Sequence, residues 1–396
     1  MKKRHMLPAM ALTLIAGSMG SRAFAEPVVT DYKEATSAYE DAYLNGFMNL
    51  NSGNQDQTSY DVNLSVDYEK VFSSPDYNTT LEFYGNGEFS RGPNAGDDDT
   101  SYYDALGSAT FDRYFQPGSN GVFWYGQAEL GVRKDMEDPF SKVTAGLGYG
   151  RVVNVTPMAR AIRVIQELRE RGSLTGDPSN EIYQSVAEII AKEDEYRSKY
   201  GSEDYEQYWI EDIEKALMVS GMVSGSGSLG AGAILKSYDV LVNERISTRK
   251  YGWLVRGGGG IVISDYDGDA GDPVIEIGAE YHVPFGNKIQ FSDEAAAAVV
   301  LDNDDDNYIF SNVMTLTYEL TDRVDWENAW FFSHSESEAS NDVTTNILSS
   351  TFRYYLTNRL NFNLTGALVN LEDNIDNNGN DEWDKSLNLG LTYRLK

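Results

Sequence analysis

The stretch 383–396, WDKSLNLGLTYRLK, decides the fold class of this chain because apolar and polar residues alternate along it. Successive side chains of a β-strand point to opposite faces, so a period of two predicts a strand whose faces meet different surroundings. One face carries Lys385, Leu387, Leu389, Leu391, Tyr393 and Leu395. The other face carries Asp384, Ser386, Asn388, Gly390, Thr392 and Arg394. The pattern indicates a strand between an apolar environment and a polar one.

The end of this strand resembles the C-terminal insertion signal of Gram-negative outer-membrane β-barrel proteins. The matching positions are Asn388, Gly390, Tyr393 and Leu395. Lys396 departs from the pattern, since many such proteins stop on the aromatic or apolar residue. The resemblance implies a porin-like barrel that contacts outer-membrane lipid or lipopolysaccharide and is inserted by the barrel assembly machinery. On this stretch alone, an edge strand of a soluble β-domain is the alternative.

The N-terminus predicts export through a cleaved signal peptide, residues 1–25. Lys2, Lys3 and Arg4 precede an apolar run over 6–19, and small residues stand at the end of the segment. The chain contains no Cys, which excludes disulfides and a lipid-anchored Cys. No stretch after residue 25 approaches the ~18 consecutive apolar residues of a membrane-spanning helix. A protein with this sequence therefore crosses a bilayer only as a closed barrel.

The charge is strongly acidic, with 32 Lys and Arg against 62 Asp and Glu and a formal net charge of −30. Such a surface repels nucleic acid and anionic head groups and suits cations, so we expect no nucleic-acid partner. Adaptation to high salt is the alternative explanation. The 26 Tyr and 36 Gly, with ordinary hydrophobic content, also fit a barrel that needs apolar residues only at alternate positions.

Period-two alternation predicts an antiparallel transmembrane β-barrel of about fourteen strands. The clearest internal example is the second strand, which places one apolar face, Tyr60, Val62, Leu64, Val66 and Tyr68, against a polar one. After an N-terminal periplasmic lead over 26–41, strands one to six occupy 42–153 and strands seven to fourteen occupy 250–396. Residues 42–51 form the weakest strand. The glycine run 257–260 is interpreted as a place for close strand approach or a passing side chain.

Between the two strand series, residues 154–249 have helical spacing of apolar residues and predict an inserted α-helical subdomain of four helices. Thr156-Pro157 and Asp177-Pro178 each place a capping residue before a first-turn proline. The subdomain is also rich in arginine at its barrel end, where Arg151 and Arg249 flank it and Arg160, Arg163, Arg169 and Arg171 begin it. A plug of the barrel, a docking surface for a periplasmic partner, and a purely stabilising role are three open interpretations.

The connections between strands predict the orientation of the barrel. Those that follow even strands are short, such as 73–76 and 321–323, whereas those that follow odd strands are longer and acidic, such as 265–272, 302–307, 333–344 and 372–382. Short turns in the periplasm and long loops outside are typical of outer-membrane barrels. This parity puts the N-terminus and the helical subdomain, which follows strand six, in the periplasm.

The strand faces opposite the apolar ones predict an acidic, water-filled lumen with few bases, because unpaired acids in a dry core are very costly. The candidate lumen residues are Asp61, Asp67, Glu69, Glu82, Glu88, Glu129, Arg133, Glu276, Glu280, Glu319, Asp325, Glu327 and Arg353. A lumen of this charge favours cations over anions. A closed barrel filled by polar networks is the alternative.

Two further clusters are candidate chemical sites. The outer loops offer oxygen ligands that calcium accepts, at Asp265, Asp267, Asp269, Asp302, Asp304 and Asp306, although none completes a twelve-residue calcium loop and a solvated acidic surface is the alternative. His334 lies between Ser333 and Ser335 near Glu336, but adjacent strand residues face opposite sides, which argues against a hydrolase.

Together these patterns predict an outer-membrane porin or passive channel, not an enzyme, with no cofactor except possible Ca²⁺ in the outer loops. The main alternative is a structural or interaction protein whose acidic loops bind divalent cations, polysaccharide or a partner. An outer-membrane hydrolase built on His334 is a further alternative.

Overall fold

A computed structural model of the protein describes residues 27–34, 36–225, 228–268, 270–301, 306–337, 340–357, 359–373, 375 and 382–395. The predicted signal peptide lies outside these residues. The strands are β1 Ser37–Asn51, β2 Ser59–Ser73, β3 Tyr77–Arg91, β4 Asp99–Tyr114, β5 Val122–Arg133, β6 Phe140–Asn154, β7 Lys250–Ser264, β8 Asp272–Phe285, β9 Ile289–Leu301, β10 Asp306–Thr321, β11 Val324–Ser337, β12 Ser340–Tyr355, β13 Leu360–Asp373 and β14 Asp384–Arg394.

These strands form one closed barrel in which every strand pairs with its sequence neighbours and β1 pairs with β14. All pairs are antiparallel, because each connection returns the chain directly alongside the strand just completed. The predicted fourteen-stranded barrel with a helical insertion is thereby confirmed. Wherever neighbouring strands pair, closure removes the sheet edges that a bilayer cannot solvate.

Several strands are longer than the alternation predicts. β1 begins at Ser37 rather than at residue 42, because its first five residues pair with the end of β2, where Ser37 lies opposite Ser73. The interval 333–344, predicted as a loop, is mostly strand, and Ser333 pairs with both Ser311 and Thr345. Both faces of a strand meet water beyond the bilayer, so the apolar alternation stops before the strand does.

The outer face of the barrel is a belt of exposed apolar side chains. Leu130, Leu147, Ile277 and Leu387 are 67%, 58%, 62% and 74% exposed. Such a continuous surface needs lipid as its solvent. An aromatic girdle borders the belt near the strand ends on the side of the helical insertion, formed by Trp124, Tyr149, Trp253, Tyr281, Tyr318, Trp326, Tyr354 and Tyr393. Its members touch, as in the Tyr149 and Trp253 pair with ring centroids 5.9 Å apart.

The insertion between β6 and β7 is helical and has its own apolar core. It contains α1 Thr156–Glu170, α2 Asn180–Ile190, α3 Glu193–Tyr200, α4 Tyr205–Val219 and α5 Ala231–Tyr238, with a π-helical turn at Asp239–Asn243. Trp209, Ile165, Leu168 and Leu217 are fully buried in its core, together with Val29 of the N-terminal lead. α3 was not predicted from the sequence, because this helix buries no residue and has no apolar stripe.

None of the helices in the part of the chain described here is long and apolar enough to cross a membrane.

The glycine run in β7 allows close approach, as predicted. A Cβ on Gly258 would lie 2.6 Å from the Tyr125 hydroxyl oxygen and closer still to the Ala145 carbonyl oxygen. A Cβ on Gly146 of β6 would lie 2.7 Å from the same ring. Tyr125 therefore lies across β6 and β7 inside the barrel, and larger residues at these glycines would push the strands apart.

Candidate functional site

The register places the predicted lumen residues on the inner face of the wall. Asp61 and Asp67 alternate along β2 with the lipid-facing tyrosines and valines, and the same parity continues through the paired strands to Arg353 on β12. The alternation of the sequence thus directs all of these side chains into the lumen. Which of them contact each other there depends on the closed barrel.

The middle of the lumen is ion-paired rather than uncompensated. Lys142 of β6 lies 3.0 Å from Glu129 of β5 and also pairs with Glu276 of β8. Lys250 pairs with Glu69 at 3.4 Å. The lumen contains more bases than the predicted set, because Lys142, Lys250 and Arg256 face inward with the acids. These bases could have been found from the sequence, because their even residue numbers place them on the inward faces of β6 and β7.

The remaining predicted lumen residues form smaller groups. Arg256 pairs with Glu280, and Arg353 lies 3.8 Å from Glu327. Arg133 stacks on Tyr266, with the guanidinium 4.6 Å from the ring centroid. Neutral donors face three other acids: Asn45 bonds Asp67 at 2.9 Å, Ser108 bonds Glu82 at 2.9 Å, and Asn63 bonds Glu88 at 3.2 Å. Among the described residues, Asp61, Asp67, Glu82 and Glu88 have no basic partner.

A cavity of about 510 Å³ occupies this polar interior. The residues that line it include Glu69, Asp112, Tyr125, Lys142, Arg256 and Glu280. Polar groups of both signs around a cavity of this size would hold water or a small polar solute.

The mouth of the barrel on the side of the helical insertion is occupied by the chain that returns from the insertion to β7, residues 244–249. We call this the return segment. Its Thr248 hydroxyl lies 3.0 Å from the Tyr39 hydroxyl of β1, whereas its Ser247 hydroxyl bonds Asp325 of β11 at 2.6 Å. The return segment therefore spans from β1 to β11 across the end of the lumen.

Glu319 of β10 is the centre of the contacts at this mouth. The Arg249 guanidinium lies 2.8 Å from it and the Arg163 guanidinium 2.9 Å, and the Ser247 backbone N–H donates to it at 2.9 Å. Glu319 is 3% exposed, and the Arg249 side chain is fully buried. A carboxylate with this many partners joins helix α1, the return segment and the barrel wall.

A second junction lies at the β1/β14 side of the mouth. Asp41 pairs with Arg394 of β14 and accepts a 2.9 Å hydrogen bond from Tyr43, and Arg245 of the return segment lies 3.5 Å away. Although burial opposes ionisation, the Tyr43 and Asp41 side chains hold the pKa of Arg245 above its usual value. Arg245 therefore remains charged and fixed at the closing seam of the barrel.

The N-terminal lead makes contacts at a third side of the barrel mouth. Arg151 donates to Glu34 at 2.8 Å and to the carbonyl oxygen of Pro75 at 3.2 Å. Burial raises the pKa of Glu34, and the Arg151 guanidinium partly offsets that rise. Of the arginines identified in the sequence, Arg151, Arg163 and Arg249 thus contact the barrel mouth.

The other arginines of the insertion lie elsewhere. Arg160 faces Glu193 at 3.9 Å within the insertion, and Arg169 pairs with Asp177. Arg171 is the C-cap of α1.

The loop clusters do not assemble into chemical sites among the described residues. No group of three or more His, Cys, Asp or Glu side chains there is arranged for a metal ion. Asp265 and Asp267 lie in the turn after β7, where Asp265 accepts the Tyr266 N–H. Asp269, Asp302 and Asp304, and the side chain of Asp306, lie outside the described residues.

His334 has no triad geometry. Its Nδ1 lies 2.8 Å from the Thr344 hydroxyl, and its Nε2 lies 4.0 Å from Glu336. Ser333 and Ser335 occupy the opposite face of β11, as the alternation predicts.

No protein-family model and no curated protein matches the chain. Solved structures with a similar outline include an outer-membrane channel from Pseudomonas putida F1 (8% identity, 94% of this chain and 100% of that chain, TM-score 0.34). They also include the beta domain of a Bordetella autotransporter (6%, 91% and 99%, 0.31) and a loop-deletion form of OmpT, an outer-membrane protein of Vibrio cholerae (10%, 90% and 99%, 0.31). Scores of this size carry no functional argument. The closed fourteen-stranded topology and the apolar exterior by themselves give this chain the fold of an outer-membrane β-barrel.

Proposed function

We propose that the protein is a passive channel of the outer membrane whose periplasmic mouth is closed by its own helical insertion. The observation that carries this proposal is the return segment 244–249, which crosses the end of a polar, cavity-containing lumen. A lumen lined by charged groups supports polar solutes as cargo. No nucleotide or redox cofactor is needed for diffusion.

Removal of the insertion tests this proposal, because β6 and β7 form a hairpin in which the insertion is the connection. Asn154 of β6 pairs directly with Lys250 of β7, so residues 155–249 can be replaced by a four-residue turn without a change of register. We expect the shortened protein to give larger and longer single-channel openings in planar bilayers than the full chain. If a shortened barrel that still folds carries no current, the channel proposal is wrong.

Cation preference is the second part of the proposal. It rests on the acids without a basic partner among the described residues, such as Asp61 and Glu88, rather than on paired acids such as Glu276. We expect Asp61→Asn to move the reversal potential in a KCl gradient towards zero. Glu276→Gln is the matched control, and its effect should be smaller because Lys142 and Glu129 remain paired there. Equal shifts would refute this assignment.

The occupied mouth also favours a second candidate, a structural or interaction protein with a permanently closed barrel and acidic outer loops. The same bilayer experiment separates the two. A full chain and a shortened chain that are both electrically silent support the structural protein.

A further inference from the structure

The barrel closes through a seam that is far shorter than its other strand pairings. β1 pairs with β14 over four residue pairs, from Tyr43 opposite Arg394 to Gly46 opposite Leu391. On their other sides, β1 pairs with β2 over fifteen residue pairs and β14 pairs with β13 over ten. Beyond Gly46 and Leu391, towards the outer surface, the two strands therefore run on without pairing to each other. We call this gap the seam slot, bounded by residues 47–51 of β1 and 384–390 of β14.

Side-chain contacts change at the same point. In the paired part, the Thr392 hydroxyl bonds Asn45 across the seam at 2.6 Å. Four residues further on, Asn49 bonds to Asn51 of its own strand at 3.4 Å, and Asn388 bonds to Ser386 of its own strand at 3.2 Å; neither side chain has another hydrogen bond among the described residues. The inward side chains no longer bridge the seam. The seam slot is thus a separation of both backbone and side chains.

The seam slot lies within the lipid-facing belt. Its outward rims are Met48 and Leu50 on β1 and Leu387 and Leu389 on β14, which are 63%, 58%, 74% and 72% exposed. Five residues of strand span roughly 16 Å, about half of the apolar thickness of a bilayer. The opening therefore runs from the middle of the belt to its outer border.

Unpaired backbone N–H and C=O groups at this depth are costly in lipid and need polar partners. The lumen supplies water on one side, and an amphipathic molecule lying in the gap supplies an apolar surface on the other. Asp61 is the register partner of Asn49 on the lumen side and has no basic partner among the described residues. A negative group beside the opening favours a cationic head group.

We propose that the seam slot is a lateral portal between the lumen and the outer leaflet, and that it accepts single-chain amphipaths with a cationic head. The alkyl chain lies between Met48 or Leu50 and Leu387 or Leu389, and the head faces Asp61. The insertion closes the periplasmic mouth, so the portal gives the lumen an exit into the membrane. This portal is independent of whether the lumen conducts ions.

The absence of Cys makes cross-linking a clean first test of the seam slot. Leu395 N–H donates to the Ala42 carbonyl, so alternation makes both Asn45/Thr392 and the projected Asn49/Asn388 non-hydrogen-bonded pairs. Cα atoms of such pairs lie about 4.5 Å apart when strands are joined, which suits a disulfide.

We expect Asn45→Cys with Thr392→Cys to oxidise readily and Asn49→Cys with Asn388→Cys to oxidise at least about tenfold more slowly. The first pair is the matched control because it lies on the same strands and the same face. Equal rates would show that the strands are joined beyond Gly46 and would overturn the portal.

Fluorescence quenching tests the ligand. A bimane label on Asn388→Cys faces the lumen beside the seam slot, whereas a label on Ala296→Cys of β9 faces the lumen far from the seam. In vesicles with brominated acyl chains, we expect quenching at position 388 and little at 296. In vesicles of unbrominated lipid, 12-bromododecyltrimethylammonium should quench position 388 at lower concentration than 12-bromododecanoate.

Equal quenching at both positions by brominated lipid would overturn the portal. Equal potency of the two bromododecyl probes would overturn the cationic head. Bilayer currents are not used in either test, so their outcome stands apart from the channel proposal.

Discussion

Glu319→Gln is the substitution that most directly tests the closed mouth. The change keeps the size of the side chain and removes the negative charge that faces Arg249 and Arg163. The amide still accepts the Ser247 N–H in the same place. The barrel pairing of β10 is unaffected, because Glu319 pairs with β11 through its backbone. The loss therefore falls on the docking of the insertion.

The magnitude follows from what remains around the two arginines. Arg163 keeps Asp322 at 3.0 Å and Glu244 at 3.5 Å, whereas the buried Arg249 keeps backbone carbonyls, such as that of Ser247 at 2.9 Å. Removing one partner of a buried pair costs about 3–5 kcal/mol. The lower limit applies because some partners remain, and ~3 kcal/mol shifts the docked-to-undocked ratio roughly 150-fold.

Two measurements report this shift. The open probability of single channels should rise steeply, and trypsin should cleave within the return segment 244–249, where Arg245 and Arg249 are protected in the docked form. Glu327→Gln is the control, since Glu327 faces the lumen and pairs with Arg353 without touching the insertion. Wild-type open probability and wild-type protease resistance in Glu319→Gln would refute the assignment of Glu319 as the closing contact.

Three further predictions concern the core of the insertion, the glycine run of β7 and one carboxylate of the insertion. Trp209→Ala leaves a cavity in the core of the insertion and should lower its free energy of unfolding by about 3–5 kcal/mol. The helical circular dichroism signal should therefore be lost at a lower temperature, while the barrel stays heat-modifiable on gels. Gly258→Ala places a methyl group against a β6 carbonyl and the Tyr125 ring, so folded barrel yield should fall sharply, whereas alanine at the lipid-facing Gly257 should be tolerated. Hydrogen bonds from Lys215 and Tyr196 lower the pKa of Asp212. The Asp212 carboxylate therefore stabilises the insertion at pH values above its unfolded pKa, and this stabilisation is lost as the pH falls through the lower folded pKa. In melting temperatures measured over a series of pH values, Asp212→Asn should reduce the decrease of stability at acid pH.

The strands were predictable where lipid and water lie on opposite sides of the chain. Alternation identified fourteen strands and the inner face of the wall, because each residue's side is fixed by its parity alone. Prediction failed where this contrast disappears. The first residues of β1 and the strand residues 333–336 and 342–344 have water or protein on both faces, so no alternation marks them as strand.

The candidate site was predictable as a set of residues and not as a set of contacts. The sequence identified Glu129 and Glu276 as lumen acids. Lys142 lies directly opposite Glu129 in the β5/β6 pairing, yet only the curvature of the wall across β6, β7 and β8 brings Glu276 to the same lysine. The arginines around the insertion were visible, but three interpretations stayed open. The assignment of Arg163 and Arg249 to the mouth depends on Glu319, a residue of β10 that is distant from both in the chain.

By itself, the stretch 383–396 determined that this chain ends in a strand with one apolar face, because side-chain parity is a local property of the backbone. How that strand meets β1 was decided only by the tertiary structure. Closure depends on the tilt and length of all fourteen strands, and it leaves four residue pairs at the seam and a slot beyond them. The folding of the insertion back across the mouth is likewise a property of the closed barrel, since its partners come together only when β1, β10, β11 and β14 share one lumen.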